Sequence, residues 1–551
     1  MKFSSLDRNE RIQKIQEQEF DLLVIGGGIT GSGIALDATT RGMKTVLVEM
    51  QDFAAGTSSR STKLVHGGLR YLKQFEVGVV AEVGKERAVV YENGPHVTIP
   101  EWMLLPIYSG GTYGKFSTSI GLRFYDFLAG VKTNERRTML SVTETIMKEP
   151  LLKRKGLVGG GYYVEYRTDD ARLTIEVVKR ASELGAELLN YVKVVDFINE
   201  TGKVIGAVVE NMLTKQTFTI KAKKVINASG PWVETLLQKD RSKQGKTLQL
   251  TKGVHIVIDQ SNFPLKQAVY FDAPDGRMIF AIPRAGKAYI GTTDTFYEND
   301  PIHPKMTIAD RDYLLETIKF MFPDVTISYD IVESSWAGVR PLIYEDGKDP
   351  SEISRKDEIW VSDSGLVTIA GGKLTGYRKM SQQVLDKVAK SFEIDYGIKF
   401  DKCQTKDIRI SGGEVGGSKN FHAYVKSQKV KGEAVGLDSN QALAIAKMYG
   451  SNASDVFALI NGKQSEAMKY QLPLDIYGML VYAIHFERTV TPVDFFMRRS
   501  GLILFNIDGA KAWQDGVINY MSDIFQWTET EKQQYTIELE EQLYAAQHPE
   551  E

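Results

Sequence analysis

The stretch VIGGGITGSGIALDATTRGMKTVLVEM, residues 24–50, decides the fold of the first part of the chain. An apolar run, DLLVI at residues 21–25, leads into the glycines and predicts a buried parallel strand. Residues 29–42 predict a helix with Gly42 just beyond its end, and residues 44–49 predict a second strand. The segment therefore predicts a β-α-β unit with a short crossover.

The glycines in this segment have the spacing G-x-G-x-x-G, formed by Gly26, Gly28 and Gly31. The first permits a tight turn, the second lets the backbone approach a pyrophosphate, and the third allows close packing of helix and strand. Glu49 lies 18 positions after Gly31, where a carboxylate accepts hydrogen bonds from ribose hydroxyls. A dinucleotide cofactor is predicted here, and the flanking strands, helix and acid disfavour a turn without a ligand.

Length and composition limit the class of protein. A chain of 551 residues with 42% hydrophobic and 25% charged residues predicts two or three globular domains. The net charge of −2 excludes a global basic field for nucleic acid. The single cysteine, Cys403, excludes an intramolecular disulfide and a thiolate cluster, and no metal is expected. The polar N-terminus and the lack of a long apolar run predict a cytoplasmic protein that could still lie on a membrane.

Three later segments distinguish a flavin from a nicotinamide cofactor. GTSSRSTKLVHGGLRYL (56–72) is rich in small hydroxyl residues, VINASGPW (225–232) is a strand ending in small residues, and VTIAGGKLTGYRKM (367–380) is a strand running into a helix. Three such strand ends can meet on one long cofactor. The last helix would stabilise negative charge on a reduced isoalloxazine ring. FAD is therefore predicted, bound without a covalent link.

The strand and helix patterns predict an α/β fold in three domains. Residues 1–75, 155–235 and 345–395 form a discontinuous FAD-binding domain, and residues 76–154 and 236–344 form a substrate domain built on antiparallel sheet. The four strands between residues 192 and 227 predict an antiparallel meander that feeds a final parallel strand. Residues 396–551 have helical periodicity and predict a C-terminal helical domain.

Many ordered motifs resemble the FAD-dependent glycerol-3-phosphate dehydrogenase family, within the glycine oxidase/D-amino-acid oxidase-like flavoproteins. The resemblance runs along essentially the whole chain. It is carried by GGGITGSGIALDA, TSSRSTKLVHGGLRYL, TDDARL, NASGPW, KGVHIVI, IGTTDT, WAGVRPL and GGKLTGYRKM. It implies a Rossmann-like FAD domain and oxidation of sn-glycerol 3-phosphate to dihydroxyacetone phosphate, with hydride transfer from C2 to flavin N5.

The resemblance also implies the substrate site. It places Arg70, Tyr71, Arg340 and Lys373 around the substrate and the flavin, and arginine forks suit phosphate oxygens. The C2 hydroxyl proton needs an acceptor, and His255 is a candidate base, although a structural histidine on an alternating strand is an equal alternative. Arg340 and Lys373 are the other catalytic candidates, as stabilisers of the alkoxide.

The motifs and the resemblance together predict the residues that bind FAD. His66 is expected to line the flavin, and the hydroxyl residues can contact the pyrophosphate or cap turns. The predicted set is Gly26, Gly27, Gly28, Ile29, Thr30, Gly31, Glu49, Met50, Thr57, Ser58, Ser59, Lys63, Leu64, His66, Gly67, Gly68, Val194, Ala228, Gly230, Gly371, Gly372, Lys373, Leu374 and Thr375.

The electron acceptor is expected to be a membrane quinone. A relative in the family, the α-glycerophosphate oxidase, reduces oxygen to peroxide and carries a long insertion after the RPL motif. Here only the 28 residues 343–370 separate Leu342 from Gly371, which favours the dehydrogenase. Residues 101–132 mix aromatic and basic residues and predict either a contact with the inner membrane surface or a core-packed helix. A homodimer, and a flavoprotein that only senses, remain further alternatives.

Overall fold

The computed structural model describes residues 3–66, 77–111, 136–243, 246–345 and 357–551. The helices before the C-terminal region are α1 (Arg8–Gln16), α2 (Ile29–Thr40), α3 (Val77–Asn93), α4 (Val142–Lys148), α5 (Asp170–Glu183), α6 (Val233–Lys239), α7 (Ile308–Met321) and α8 (Tyr377–Tyr396). The predicted first helix is confirmed as α2, and Gly42 follows it with a φ of +89°. Helix α5 begins where the Asp169 carboxylate accepts from the backbone N–H of Arg172 at 3.1 Å.

The first of two sheets is mostly parallel. Its strands are β1 (Glu19–Ile25), β2 (Thr45–Val48), β7 (Glu187–Leu189), β8 (Val192–Glu200), β9 (Lys203–Asn211), β10 (Thr217–Asn227), β17 (Glu358–Val361) and β18 (Val367–Ala370). They are ordered β17-β18-β10-β1-β2-β7, with β9 beside β10 and β8 beside β9. The predicted antiparallel meander is present, but it has three strands instead of four, because the last two predicted segments form the single strand β10. Strand β10 pairs antiparallel with β9 and parallel with β1. Helices α2, α5 and α8 pack together on one face.

The second sheet is mostly antiparallel. Its strands are β3 (Leu64–Val65), β4 (Thr98–Tyr108), β5 (Thr138–Leu140), β6 (Leu157–Thr168), β11 (Lys246–Asp259), β12 (Ala268–Asp272), β13 (Met278–Arg284), β14 (Lys287–Gly291), β15 (Thr295–Phe296) and β16 (Val332–Glu345). The long strand β16 pairs with β11, and α7 covers the core beneath. Together the two sheets confirm the predicted fold class.

Two strands lie in a different sheet from the one that the predicted domain boundaries imply. Strands β3 and β6 fall in the ranges 1–75 and 155–235, yet β3 pairs with β6 and β6 pairs with β4 in the second sheet. The chain thus crosses between sheets immediately before and after the predicted junctions. The local hydrophobic pattern does not indicate which sheet a strand joins, because the strands of both sheets have buried faces.

The segment 101–132 begins as a strand instead of a helix. Residues 101–108 belong to β4, with Met103, Leu104, Leu105 and Ile107 buried in the core. Residues 112–135, which hold the remaining part of that segment, lie outside the described residues. No helix in the described part of the chain combines the length and apolar character that crossing a bilayer requires.

The C-terminal region is helical, as predicted. Its helices are α9 (Phe421–Ala434), α10 (Ser439–Tyr449), α11 (Ala453–Ile460), α12 (Gln464–Lys469), α13 (Leu474–Phe486), α14 (Leu502–Phe505), α15 (Ile507–Phe525) and α16 (Glu529–Gln547), with a π-helix at Asp494–Arg499. Helices α14 and α16 pack on β16, where Ser334 and Ser335 donate to the carbonyls of Leu504 and Ala546.

Buried charges also join this region to the first sheet. The carboxylate of Asp52, in the loop after β2, accepts from both Arg498 at 2.6 Å and Arg499 at 2.6 Å and 2.8 Å. Arg172 of α5 makes a two-bond pair with Glu487 at 2.8 Å and 2.7 Å. The motif RTVTPVDFFMRRSG (488–501) thus has a structural role, since its arginines hold the helical region against the first sheet.

Candidate functional site

One large cavity, of about 850 Å³, lies between the two sheets. Four parallel strands of the first sheet end at it, through Ile25, Val48, Ala228 and Ala370. Residues of the second sheet, among them Arg340, form the opposite wall. A crevice at the carboxyl ends of parallel strands is where open α/β sheets bind ligands.

Two glycines of the opening motif, Gly26 and Gly31, lie where a side chain would clash with the backbone. At Gly26, with φ of +113°, a Cβ would lie 2.4 Å from the carbonyl oxygen of Ala228. At Gly31 a Cβ would lie 1.9 Å from the carbonyl oxygen of Gly26, so any side chain would push α2 away from the turn. Gly26 and Gly28 line the cavity, whereas Gly31 and Gly27 act from behind it.

The N-terminus of α2 lies at the cavity, which Gly28, Ile29 and Thr30 line. The backbone N–H of Ile29 donates to Ser58 Oγ at 2.9 Å, and Ser58, Thr57 and Thr30 line the cavity. The positive end of a helix attracts an anion there.

Glu49 closes the same end of the cavity, beside Met50 and Val194. Its two oxygens accept from the backbone N–H of Gly27 at 2.6 Å and of Gln51 at 2.9 Å. Burial raises the pKa of Glu49 above its ordinary value despite these donors. The carboxylate is held in one orientation at the point where the motif predicts a ribose contact.

The segment after β18 reaches the other end of the cavity. Gly371 and Gly372 have φ of +75° and +79°, and a 3-10 turn at Leu374–Gly376 leads into α8. Thr375 Oγ1 accepts from the backbone N–H of His66 at 3.2 Å and lies 3.3 Å from its carbonyl oxygen. Two segments that are 309 positions apart are thereby joined at the cavity wall.

His66 lines the cavity, and its ring meets Phe280 edge-on at 5.8 Å. Burial, with Lys373 and Arg87 nearby, lowers the pKa of His66 to about 3. The imidazole is therefore neutral at neutral pH. Lys373 and Leu374 line the same end.

Arg340 projects from β16 into the opposite wall. Its Nη1 donates to Asp294 Oδ1 and its Nη2 donates to Thr292 Oγ1, both at 3.1 Å. On β11 opposite, a Cβ at Gly253 would lie 2.3 Å from Arg340 Nη2, so glycine leaves the space that the guanidinium occupies. The fork is thus oriented by a carboxylate and a hydroxyl.

His255 lies behind the cavity wall instead of on it. Its ring is buried and stacks on Trp336 at 4.7 Å, while Nε2 lies 3.1 Å from Thr62 Oγ1. Burial, followed by Arg340 and Lys63, lowers the pKa of His255 well below 6.5. Thr62 does line the cavity, so the histidine reaches it through that hydroxyl.

Two of the predicted cofactor residues, Lys63 and Ser59, do not line the cavity. The ammonium of Lys63 binds Asp170 Oδ1 at 2.6 Å and the carbonyl of Ser59 at 3.0 Å, in a buried ion pair at the start of α5. Ser59 is buried and does not line the cavity. Lys63 thus has a structural role, because its buried ammonium is paired with the Asp170 carboxylate and a buried charge needs such a partner.

Four predicted residues lie outside the described residues: Gly67, Gly68, Arg70 and Tyr71. Conversely, the cavity contains side chains that the motif analysis omitted, notably Arg60, Thr62, Trp232 and Asp294. Each occurs inside a motif that was recognised, namely TSSRST, NASGPW and GTTDT. For Arg60, Trp232 and Asp294, a charged or aromatic residue within a run of small residues was the available signal, whereas Thr62 carries no such signal.

Two family models together match most of the chain. The family model for FAD dependent oxidoreductases matches residues 21–378, and that for the C-terminal domain of alpha-glycerophosphate oxidase matches residues 403–532. The chain is 59% identical over 547 residues to an aerobic glycerol-3-phosphate dehydrogenase of Bacillus subtilis (strain 168), covering 99% of each chain.

Solved structures are similar as well. The glycerol-3-phosphate dehydrogenase from Bacillus halodurans, solved in complex with FAD, superposes with a TM-score of 0.87 at 50% identity and 99% coverage of both chains. L-alpha-glycerophosphate oxidase from Mycoplasma pneumoniae shares the fold, with a TM-score of 0.56 at 17% identity over 70% of this chain and 97% of that one. The chain therefore belongs to the FAD-dependent oxidoreductases and, within them, to the family of aerobic glycerol-3-phosphate dehydrogenases.

Proposed function

We propose that this chain oxidises sn-glycerol 3-phosphate to dihydroxyacetone phosphate and passes the electrons, through bound FAD, to a membrane quinone. One observation carries the proposal. A single cavity runs from the N-terminus of α2 to the guanidinium of Arg340, so a dinucleotide and a small anion fit end to end. FAD, when bound, supplies the acceptor for the two electrons and the hydrogen that leave C2 of the substrate.

The residues of the cavity suit FAD. Glu49 is suited to bind the ribose, and the N-terminus of α2, with Thr57 and Ser58, is suited to bind the pyrophosphate. The end of the cavity formed by His66 and residues 371–375 is suited to hold the isoalloxazine ring. The strongest support is steric, since at Gly28 a Cβ would lie 3.0 Å from Ser58 Oγ and fill the space beside the helix start. The remaining predicted contacts, Met50, Leu64, Val194, Ala228 and Gly230, also line this cavity.

Arg340 and Lys373 are the cationic groups for the substrate. Arg340 is oriented by Asp294 and Thr292, so its fork needs little reorganisation to meet an oxyanion. We assign to both side chains the stabilisation of negative charge on the C2 oxygen. Arg70 and Tyr71 complete the substrate site as predictions from the resemblance.

The proton of the C2 hydroxyl needs an acceptor, and His255 is the group we assign. Its low pKa keeps the imidazole neutral and able to accept. Thr62 Oγ1, 3.1 Å from Nε2, can give its proton to the ring while it takes one from the substrate. The same low pKa makes His255 a weak base, so alkoxide stabilisation by the cations carries much of the catalysis.

Quinone and the inner membrane surface enter from the family resemblance and from the short 343–370 segment. A second candidate, an oxidase that delivers electrons to oxygen, is favoured by one observation: the C-terminal family model is described for alpha-glycerophosphate oxidase. The homodimer and the purely sensory flavoprotein stay predictions without further support.

An anaerobic experiment tests the proposal. Purified holoenzyme is mixed with glycerol 3-phosphate, the oxidised-flavin absorbance is followed, and a quinone analogue or air is then admitted. We expect bleaching that quinone reverses quickly and air reverses slowly. Fast reversal by air with peroxide release would instead establish the oxidase, and no bleaching of FAD-loaded protein would overturn the substrate assignment.

A further inference from the structure

Arg60 is a cavity residue that neither the motif nor the mechanism above uses. It follows the 3-10 turn Thr57–Ser59, and its backbone packs against β16. At Gly338 a Cβ would lie 2.3 Å from the Arg60 carbonyl oxygen, so glycine alone permits this approach. The contact brings Arg60 next to the strand that carries Arg340, and both arginines line the cavity.

The guanidinium of Arg60 has no carboxylate within ion-pair distance among the described residues. Its one hydrogen bond there runs from Nη1 to the carbonyl oxygen of Ile302 at 3.1 Å. Three other buried arginines, Arg172, Arg378 and Arg499, each bind a carboxylate. Arg8 does not, but its guanidinium is held by several amide and carbonyl oxygens, whereas Arg60 has a single such bond among the described residues. A partly buried cation without a counter-charge is costly unless a ligand supplies one.

The neighbours of Arg60 increase the local positive potential. Burial lowers the pKa of Arg60 to about 10, with Arg498 acting in the same direction and Tyr297 opposing it. Arg60 in turn contributes to the lowered pKa of His303, after burial. At neutral pH Arg60 is still a cation, and its remaining N–H donors have no acceptor among the described residues.

We propose that Arg60 is a phosphate-binding residue, whose guanidinium pairs with the phosphoryl group of a phosphomonoester substrate on the wall that also carries Arg340. This inference rests on the proposed function. Two phosphate groups could pair with Arg60, that of the substrate and the pyrophosphate of the cofactor, because Ser58 at the pyrophosphate end lies only two residues away. The substrate phosphate is favoured, since Arg60 packs against Gly338 of β16, two positions from Arg340 on the same strand.

The test uses holoenzyme carrying Arg60→Gln, Arg60→Lys or, as a matched control, Arg154→Gln at an exposed position. Inorganic phosphate is titrated calorimetrically, and bound FAD per chain is measured from absorbance. Loss of a charge-assisted contact predicts that R60Q binds phosphate about ten- to a hundredfold more weakly, with FAD content unchanged. R60K is expected to retain part of the affinity, and R154Q all of it.

Two results would overturn the proposal. If R60Q loses FAD while its phosphate affinity per holoenzyme is unchanged, Arg60 belongs to the cofactor pyrophosphate. If phosphate affinity and FAD content both match the wild type, Arg60 binds neither group. Failure of the proposed function gives a different signature, because the wild-type holoenzyme would then bind phosphate normally, yet its flavin would not be bleached by glycerol 3-phosphate.

Discussion

At the residue scale, a carboxylate and a hydroxyl fix the orientation of the Arg340 guanidinium. Asp294 and Thr292 each hold one terminal nitrogen, and Gly253 leaves the space for both contacts. A lysine presents a single nitrogen, so it cannot occupy both positions of the guanidinium fork.

We therefore expect Arg340→Lys to lower kcat/KM for glycerol 3-phosphate by about ten- to a hundredfold, with FAD content unchanged. Steady-state kinetics with a quinone analogue measures this. Arg284→Lys is the matched control, because Arg284 also pairs with an aspartate, Asp169 at 3.0 Å, but does not line the cavity. Equal losses in both variants would contradict the assignment of Arg340 to the substrate site.

A second residue-scale prediction concerns His96, which is buried beside Gly412 and away from the cavity lining. Burial, with Arg172 and Lys179 nearby, lowers the pKa of His96 to about 3. In the unfolded chain the His96 imidazole is protonated below about pH 6.5, whereas in the folded chain it stays neutral until about pH 3. Stability is therefore full above pH 6.5 and falls as the pH drops toward 3, by about 1.4 kcal/mol per pH unit for one such histidine.

Thermal unfolding between pH 7 and pH 5 measures this slope. His96→Gln is expected to lower Tm at pH 7 but to flatten its decline with acid. His548→Gln, at an exposed position, is the control and should leave the slope unchanged. A slope in the His96 variant as steep as in the wild type would show that this histidine is not responsible.

At the scale of elements, the glycine turn and α2 act as one unit. The turn places the helix start against the cavity only because Gly31 lets α2 approach the carbonyl of Gly26. The unit is completed from elsewhere in the chain, since Ser58 caps the donor of Ile29 and α8 packs alongside α2.

Gly31→Ala is expected to displace α2 and to weaken FAD binding. Overpacking of this kind costs about 1–3 kcal/mol, equivalent to about five- to a hundredfold in affinity. Titration of FAD into apoprotein, followed by flavin fluorescence, measures the change. Thr39→Ala, at the far end of the same helix, should bind FAD like the wild type. Wild-type affinity in G31A would mean that the turn relaxes without moving the helix.

At the scale of the whole molecule, buried charges hold the helical region to the first sheet. Burial alone would raise the pKa of Asp52, but Arg499 and Arg498 outweigh it and lower the pKa to about 2. Burial would also raise the pKa of Glu487, but Arg172 and Lys179 outweigh it and lower that pKa to about 2. The stability that these carboxylates contribute is present above about pH 4.5 and is lost as the pH falls toward 2.

Asp52→Asn would remove the carboxylate that Arg498 and Arg499 share. Among the described residues, Arg498 would keep only its ion pair with Asp494, and Arg499 only an ion-pair contact of 3.9 Å with Glu487. We expect a loss of about 3–5 kcal/mol of stability, seen as a marked decrease of Tm in differential scanning calorimetry of the holoenzyme. Asp386→Asn is the control, since Asp386 is 56% exposed and its pair with Arg41 should contribute at most about 1 kcal/mol. Equal Tm values for D52N and D386N would show that the cluster does not hold the two regions together.

Local pattern accounts for much of what the sequence predicts. The β-α-β unit, the meander of β8 and β9 and the C-terminal helices follow from apolar spacing and turn residues within a few positions of each other. The clashes that a side chain would make at Gly26 and Gly28 involve the distant Ala228 and Ser58, but the glycine spacing is itself local, and Gly31 meets Gly26 within the turn. Those features needed no knowledge of distant partners.

The sequence alone thus determined the cofactor fold and the family, and only the tertiary structure decided which side chains face the cavity. Lys63 and His255 occur in motifs as readable as that of Arg340, yet one is paired with Asp170 and the other lies behind Thr62. Asp52 meets Arg498 across 446 positions. Burial and charge pairing are properties of contacts between distant segments, so no local spacing encodes them.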